Sequence, residues 1–146
     1  MDAPAPAAVR APLCRGVAGL IPDTPKPGDP LFEHVNNIVI GDNASAGRAA
    51  VAEATRRGFT AVLLTTFLQG EAREVGRVVV GLAQGIASGQ SDFSPPVCLV
   101  LGGETTVTLR GKGTGGRNQE LALAAAIALE GNALPPGVEV AVVSLG

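Results

Sequence analysis

The sequence predicts an α/β fold, a three-layer sandwich with helices on both sides of a mixed, partly parallel sheet. From residue 35 onward, short apolar runs with strand character alternate with longer segments of helical periodicity. These helical segments are long enough to serve as the crossovers that parallel strands need. Two β-rich runs late in the chain are separated only by Gly102-Gly103, which predicts a tight hairpin and one antiparallel pairing.

Residues 1–34 are predicted to be a proline-rich connector with one short helix, and residues 35–146 to be the α/β domain. Three prolines in TPKPGDP, at 24–30, exclude regular helix and central strand, because proline lacks the backbone donor and fixes φ. The segment from Ala7 to Gly19 has helical character, and we expect Pro12 to interrupt it.

Two strand–helix units follow the connector. NIVIGDN at 37–43 predicts a strand that ends in a turn, with Asn43 as the N-cap of an Ala-rich helix stopping at Gly58. TAVLLTTF at 60–67 predicts the second strand. In the helix predicted over 69–89, one stripe should be buried, formed by Val75, Val78, Val79, Leu82, Ala83 and Ile86.

Three glycines in the second helix, Gly76, Gly81 and Gly85, each cost about 1 kcal/mol relative to Ala. We interpret them as points of close approach to the sheet. A third helix is predicted over 117–130, where apolar residues lie on nearly every face and predict burial on most sides. VEVAVVSLG at 138–146 predicts a last strand.

The direction of the strand predicted at 97–101 decides which loops meet. If it runs parallel to the first two strands and a hairpin follows, the glycine-rich loop after residue 110 lies at the opposite sheet edge from GDN and GEAR. If it runs antiparallel to them, all three loops converge. The sequence leaves both arrangements open.

Composition excludes several classes of function. The net charge of −2 provides no basic field for nucleic acid or anionic lipid, and the absence of Trp and Tyr removes aromatic platforms for stacking bases. Cys14 and Cys98 lack metal-ligand spacing and are interpreted as free thiols. No apolar run is long enough for a membrane span or a signal peptide, so we expect a cytoplasmic protein.

RGKGTGGRNQE at 110–120 is the strongest functional signal in the chain. Gly111, Gly113 and Gly116 satisfy G-x-G-x-x-G between a predicted strand and a predicted helix, and Gly115 adds further backbone freedom. Glycines let backbone N–H groups turn toward an anion, and the helix N-terminus adds unpaired N–H groups. The charges of Arg110, Lys112 and Arg117 complete a predicted anion pocket. The alternative interpretation is a flexible, solvated loop.

Known phosphate loops fit this stretch poorly. A dinucleotide fingerprint needs an acidic residue at the end of the next strand, where Val142, Val143 and Ser144 stand. A Walker A loop needs Ser or Thr after Gly-Lys, but Gly113 follows Lys112. The protein-kinase loop fails as well, because its companion motifs are absent.

GGETTVTLRGKGTGGRNQELALA at 102–124 resembles the signature of the MOFRL domain of the glycerate 2-kinase family, whose members often carry the label hydroxypyruvate reductase. PDTPKPGDP at 22–30, IGDNASA at 40–46 and GEAR at 70–73 resemble further landmarks of that family in the same order. The resemblance covers essentially residues 7–146. It implies transfer of the γ-phosphoryl group of ATP to the 2-hydroxyl of D-glycerate, with Mg²⁺, between two domains.

The resemblance also implies roles for individual residues. Arg117 would hold a phosphate or the glycerate carboxylate, with Lys112 as a supporting point charge. Asn118 would orient a ligand oxygen. Glu104 and Glu120 would orient the arginines or hold metal through water, although Glu120 is equally an ordinary first-turn carboxylate. Glu71 and Arg73 in GEAR could face the cleft or serve the helix alone. The metal ligands stay unassigned.

Family members are similar in having a larger N-terminal α/β domain and a Thr-Asp-Gly-rich loop after the strand that ends here at residues 144–146. We therefore expect a fragment, inactive alone, that works with the missing N-terminal domain and has a possible tendency to self-associate. Two alternatives stay open: an NAD(P)H-dependent hydroxypyruvate reductase, and a non-catalytic anion-binding module.

Overall fold

The chain forms two compact units, of which the computed structural model describes residues 5–132 and 134–146. The first unit ends at Val39, and the second runs from Ile40 to Gly146. The first unit contains α1 (Ala7–Val17), which continues through Pro12, so the predicted interruption is wrong. The first four residues of the predicted connector lie outside the described residues, and the domain assignment of 1–34 and 35–146 stays a prediction.

The second unit has the α/β fold that the sequence predicts. Its elements are α2 (Asn43–Arg56), β1 (Thr60–Glu71), α3 (Ala72–Ala87), β2 (Val97–Thr106) and α4 (Arg117–Glu130). The two strands pair in parallel, with Thr60 opposite Val97 and Glu71 opposite Thr106. Because α3 connects two parallel strands, it acts as the crossover helix. Helix α2 packs against both strands, and α3 packs chiefly against α4.

The hairpin predicted at Gly102-Gly103 is wrong, because residues 97–106 form one continuous strand. A Cβ at Gly102 would overlap the side chain of Asn43, and a Cβ at Gly103 would overlap the backbone of Leu68. The glycine pair therefore permits close approach of neighbouring groups and does not turn the chain. Within the described residues, the antiparallel pairing expected from this hairpin is not formed.

The predictions of strands at 37–43 and 138–146 are also wrong, because neither segment forms a strand in the part of the chain that the structure describes. Neither segment pairs with β1 or β2. Ile38 and Val39 are 81% and 82% exposed, whereas Val142 packs against a cluster of Ala72, Val75 and Leu121. An apolar run indicates a tendency to be buried, but a strand also needs a hydrogen-bonding neighbour.

The core lies mainly between α3 and α4, and it differs from the predicted stripe. Its buried apolar residues are Ala72, Val75, Val80, Leu121 and Ala125. Val78 and Leu82, predicted to be buried, are 64% and 41% exposed. Burial of α4 is likewise confined to one side, since Leu123 and Ile127 are exposed. Val75 is buried and Val79 packs against the core cluster, so the predicted stripe is right in part.

The glycines of α3 explain this packing. A Cβ at Gly76 would lie 2.6 Å from the carbonyl oxygen of Leu121, so α3 approaches α4 here and not the sheet. Gly81 and Gly85 have open space at the Cβ position. The predicted close approach to the sheet is therefore wrong for all three glycines, although close packing is present at Gly76.

Helix α2 begins at a side-chain cap one residue earlier than predicted. Asp42 is the N-cap, and its carboxylate accepts a hydrogen bond of 2.6 Å from the backbone N–H of Ser45. Asn43, the predicted cap, is the first helical residue and donates from Nδ2 to the Thr66 carbonyl at 3.0 Å.

Across the described ranges, no helix has the length and apolarity to span a membrane.

Candidate functional site

The carboxyl ends of β1 and β2 meet at one edge of the sheet. Glu71, the last residue of β1, lies opposite Thr106, the last residue of β2. Helix α3 begins directly after β1, and α4 begins after the loop that follows β2. In parallel α/β sheets, this edge is where ligands are bound. The parallel pairing without a hairpin brings GEAR and the glycine-rich loop to the same edge, an arrangement that the sequence did not decide.

We call residues 107–116 the glycine loop. Within the described residues, no backbone N–H from Leu109 to Gly116 donates to a protein acceptor. A Cβ at Gly113 or Gly116 would meet nothing within 4 Å, so the space beside these two glycines is open. Gly116 is the N-cap of α4 and provides no side-chain cap. The loop and the first turn of α4 thus present N–H donors together.

Three cationic side chains belong to the glycine loop and its flanks. Arg117, in the first turn of α4, pairs with Glu104 of β2 at 2.6 Å. Both side chains are largely solvent-accessible, at 46% and 72%, so water screens the pair and its effect on stability is small. Arg110 and Lys112 are exposed, and neither forms an ion pair with another described residue. The loop therefore carries net positive charge.

Glu71 connects β1 to the beginning of the glycine loop. Its Oε1 accepts the backbone N–H of Thr108 at 2.9 Å, and its Oε2 accepts the Thr108 hydroxyl at 3.1 Å. The N–H and hydroxyl of Thr108 hold the pKa of the Glu71 carboxyl below its usual range, with Arg73 and Arg110 adding to the effect. Glu71 is the N-cap residue of α3, but its side chain faces the loop and makes no capping hydrogen bond to the helix.

The remaining predicted residues have different surroundings. Asn118 accepts a hydrogen bond from the Ser144 hydroxyl through Oδ1 at 3.0 Å, which leaves its Nδ2 and one further acceptor position on Oδ1 for a ligand. Glu120 is half-buried beside a cavity of about 240 Å³ between α3 and α4, together with Arg73 and Arg77. It forms no ion pair with those arginines within 4.0 Å in the described part of the chain.

The sequence interpretation did not identify two connections. It considered a cleft-facing role for Glu71 but missed Thr108, and it missed the bond between Ser144 and Asn118. The signal for the first was a carboxylate at the end of a buried strand. Its partner depends on the parallel register, which local pattern does not determine.

The chain is similar to known proteins, and the matches below are to the MOFRL family and to glycerate kinases. The MOFRL family matches residues 97–146. Glycerate 2-kinase of Pyrococcus horikoshii is 45% identical over 121 residues, covering 82% of this chain and 27% of that protein. D-glycerate 2-kinase of Thermotoga maritima is 40% identical over 115 residues, covering 77% and 26%.

A crystal structure of glycerate kinase from Thermotoga maritima has a similar fold. The TM-score is 0.61 at 42% identity, covering 68% of this chain and 25% of that chain. The chain thus spans about a quarter of the length of the relatives that it matches.

Proposed function

Since the chain belongs to the glycerate 2-kinase family, we propose that it supplies an anion-binding loop to an ATP-dependent glycerate 2-kinase. The reaction is transfer of the γ-phosphoryl group of ATP to the 2-hydroxyl of D-glycerate. The observation that carries the proposal is the set of unengaged backbone N–H groups from Leu109 to Gly116, next to the N-terminus of α4. Donors and helix dipole of this kind favour a phosphate.

Each charged residue has a role that fits phosphoryl transfer, which depends on positioning and on stabilising negative charge. Arg117 binds a phosphate or the glycerate carboxylate, and its bond to Glu104 holds the guanidinium near the loop before the ligand arrives. Lys112 adds a mobile positive charge. The amides of Gly111, Gly113, Gly115 and Gly116 contact phosphate oxygens, with support from Arg110 and Asn118.

The described residues fit a nucleotide phosphate better than a resident metal ion. Bound ATP supplies the phosphoryl group, and the loop supplies donors without side chains that would obstruct it. Among residues 5–132 and 134–146, no group of three His, Cys, Asp or Glu side chains comes together. Mg²⁺ commonly retains several waters and binds through substrate phosphates, so the proposal has Mg²⁺ arrive with the nucleotide. The domain organisation and a cytoplasmic location belong to the same proposal.

A nicotinamide-dependent reductase receives less support. The acidic residue of a dinucleotide fingerprint belongs at the end of the strand after the loop helix. Residues 138–146 carry no acidic residue at that end and form no strand with β1 or β2. We therefore retain phosphoryl transfer as the proposed chemistry.

Nucleotide binding is tested by NMR on the ¹⁵N-labelled chain titrated with ATP and Mg²⁺, and in parallel with NADH. We expect ATP to shift the amide signals of residues 109–119. Arg117→Ala should weaken ATP binding by about tenfold, because it removes a charge-assisted contact. The matched control is Arg57→Ala. Arg57 is also paired with a glutamate, but it precedes the first residue of β1 and so lies at the other end of the strand from the glycine loop. Shifts confined to other residues, or produced by NADH alone, would refute the proposal.

Catalysis is tested in a chimera in which this chain replaces the matched segment of the Thermotoga maritima D-glycerate 2-kinase. We expect ATP-dependent phosphorylation of D-glycerate, lost with Arg117→Ala and retained with Arg57→Ala. If the folded chimera has the same turnover with Arg117→Ala as with Arg57→Ala, Arg117 has no role in the reaction.

A further inference from the structure

The link between Glu71 and Thr108 joins two parts of the chain that the sequence separates widely. Both carboxylate oxygens of Glu71 bind one residue of the glycine loop, at 2.9 Å to the backbone N–H and 3.1 Å to the hydroxyl. A carboxylate that accepts two bonds from one residue fixes that residue in direction as well as in distance. Among the described residues, these two are the only hydrogen bonds between the glycine loop and β1 that involve a side chain.

The link between Glu71 and Thr108 lies just beyond the paired part of the two strands. Regular pairing of the strands ends at Glu71 and Thr106, where the Thr106 hydroxyl also donates to the Gly70 carbonyl at 3.3 Å. The Glu71 side chain continues the attachment for two residues beyond the last strand pair. Thr108 is therefore the last point at which the chain is held to the sheet before the free N–H groups begin.

The other end of the glycine loop is also fixed. Helix α4 starts at Arg117 and is packed tightly against α3 around Gly76. The segment from Leu109 to Gly116 thus spans two fixed points, and it makes no backbone hydrogen bonds of its own to protein acceptors in the described part of the chain. Its conformation is set by where its ends are held.

We propose that Glu71 is a positioning residue, which holds Thr108 at the sheet edge and so preorganises the amides of the glycine loop for an anion. The proposal concerns the site described above, and the identity of the anion rests on the proposed function. A loop that is already ordered loses less conformational entropy when it binds.

The test compares three substitutions in the full chain. Glu71→Ala removes both bonds, whereas Glu71→Gln keeps one acceptor for the N–H and one donor for the Thr108 hydroxyl. Glu74→Ala is the matched control, because Glu74 also pairs with arginines at the start of α3 but has no bond to the loop. Amide hydrogen exchange at residues 108–116 and the Kd for ATP with Mg²⁺ are measured for each.

We expect Glu71→Ala to speed exchange at Thr108 by at least about tenfold and to weaken ATP binding by about tenfold, with α4 still protected. Glu71→Gln should restore both values to within about threefold of the parent, and Glu74→Ala should change neither. Unchanged exchange at Thr108 in Glu71→Ala would overturn the proposal, as would faster exchange with unchanged ATP affinity.

Two variants of Thr108 test the same link if Glu71→Ala does not fold. Thr108→Val removes only the hydroxyl bond, and Thr108→Ser retains it. We expect Thr108→Val to speed loop exchange and Thr108→Ser to leave it unchanged; equal behaviour of the two overturns the hydroxyl contact. If the parent chain binds no ATP, the proposed function fails, and loop exchange alone then decides whether Glu71 holds the loop.

Discussion

Adding one methyl group at two positions of α3 should have opposite effects on stability. Gly76→Ala places a Cβ 2.6 Å from the Leu121 carbonyl oxygen and 3.2 Å from both Ala124 Cβ and Ala125 N. Two of these neighbours are backbone atoms of a packed helix, so they cannot move aside independently. Overpacking costs about 1–3 kcal/mol, partly offset by the roughly 1 kcal/mol that Ala gains over Gly in a helix.

Gly81→Ala is the matched control in the same helix. Its Cβ would meet nothing within 4 Å, so the helix-propensity gain of about 1 kcal/mol stands alone. We expect urea unfolding to give a lower free energy of unfolding for Gly76→Ala and a higher one for Gly81→Ala. In thermal unfolding, a difference of about 1 kcal/mol corresponds to roughly 4–8 °C for a domain of this size. Equal stabilisation by both changes would show that α3 and α4 do not approach closely at Gly76.

Three further changes test other parts of the fold. Gly103→Ala should destabilise the chain by about 3 kcal/mol in urea unfolding, because its Cβ would overlap the Leu68 backbone; a neutral effect would contradict the strand register. Asp42→Ala should lower Tm and Asp42→Asn should not, since the Asn side chain can also accept a hydrogen bond from the Ser45 N–H. Equal Tm values for the two variants would show that this hydrogen bond does not stabilise α2. The depressed pKa of Glu71 contributes stability above its unfolded pKa of about 4.3, lost as pH falls through the folded pKa. The stability difference between the parent and Glu71→Gln should therefore shrink between about pH 6 and about pH 3, and a constant difference would contradict an ionised link to Thr108.

Local sequence pattern predicted the helices of the second unit, the strand at 60–67 and the strand at 97–101, which forms the first half of β2. The helix expected at 117–130 is α4 (Arg117–Glu130), because a glycine-rich start and a long run of helix formers define both ends. The strand expected at 60–67 forms the first part of β1, where a largely apolar, half-buried run follows a helix-terminating glycine. These elements depend on interactions between residues close in sequence.

Features that depend on distant partners could not be predicted in the same way. Whether Gly102-Gly103 turns the chain or admits a neighbour depends on Asn43 and Leu68, which lie more than thirty residues away in sequence. The buried side of α3 likewise depends on α4, because Gly76 packs against α4 and leaves Val78 exposed, although hydrophobic periodicity predicted Val78 to be buried. At the candidate site, the sequence pointed to the cations, the glycines and a cleft-facing Glu71, but not to the bonds between Glu71 and Thr108.

The parallel register gives the site its electrostatic character. With both strands ending at one edge, the N-terminus of α3 follows β1 directly, and α4 begins after the ten-residue glycine loop that follows β2. Each helix contributes partial positive charge and free N–H groups near that edge. Glu71 is a negative group at that edge, and each of its oxygens accepts a hydrogen bond from Thr108. A carboxylate satisfied in this way adds order to the loop while competing little for its N–H donors. An anion can therefore bind where an acidic residue already stands, and removing that residue should weaken binding even though it makes the edge more positive.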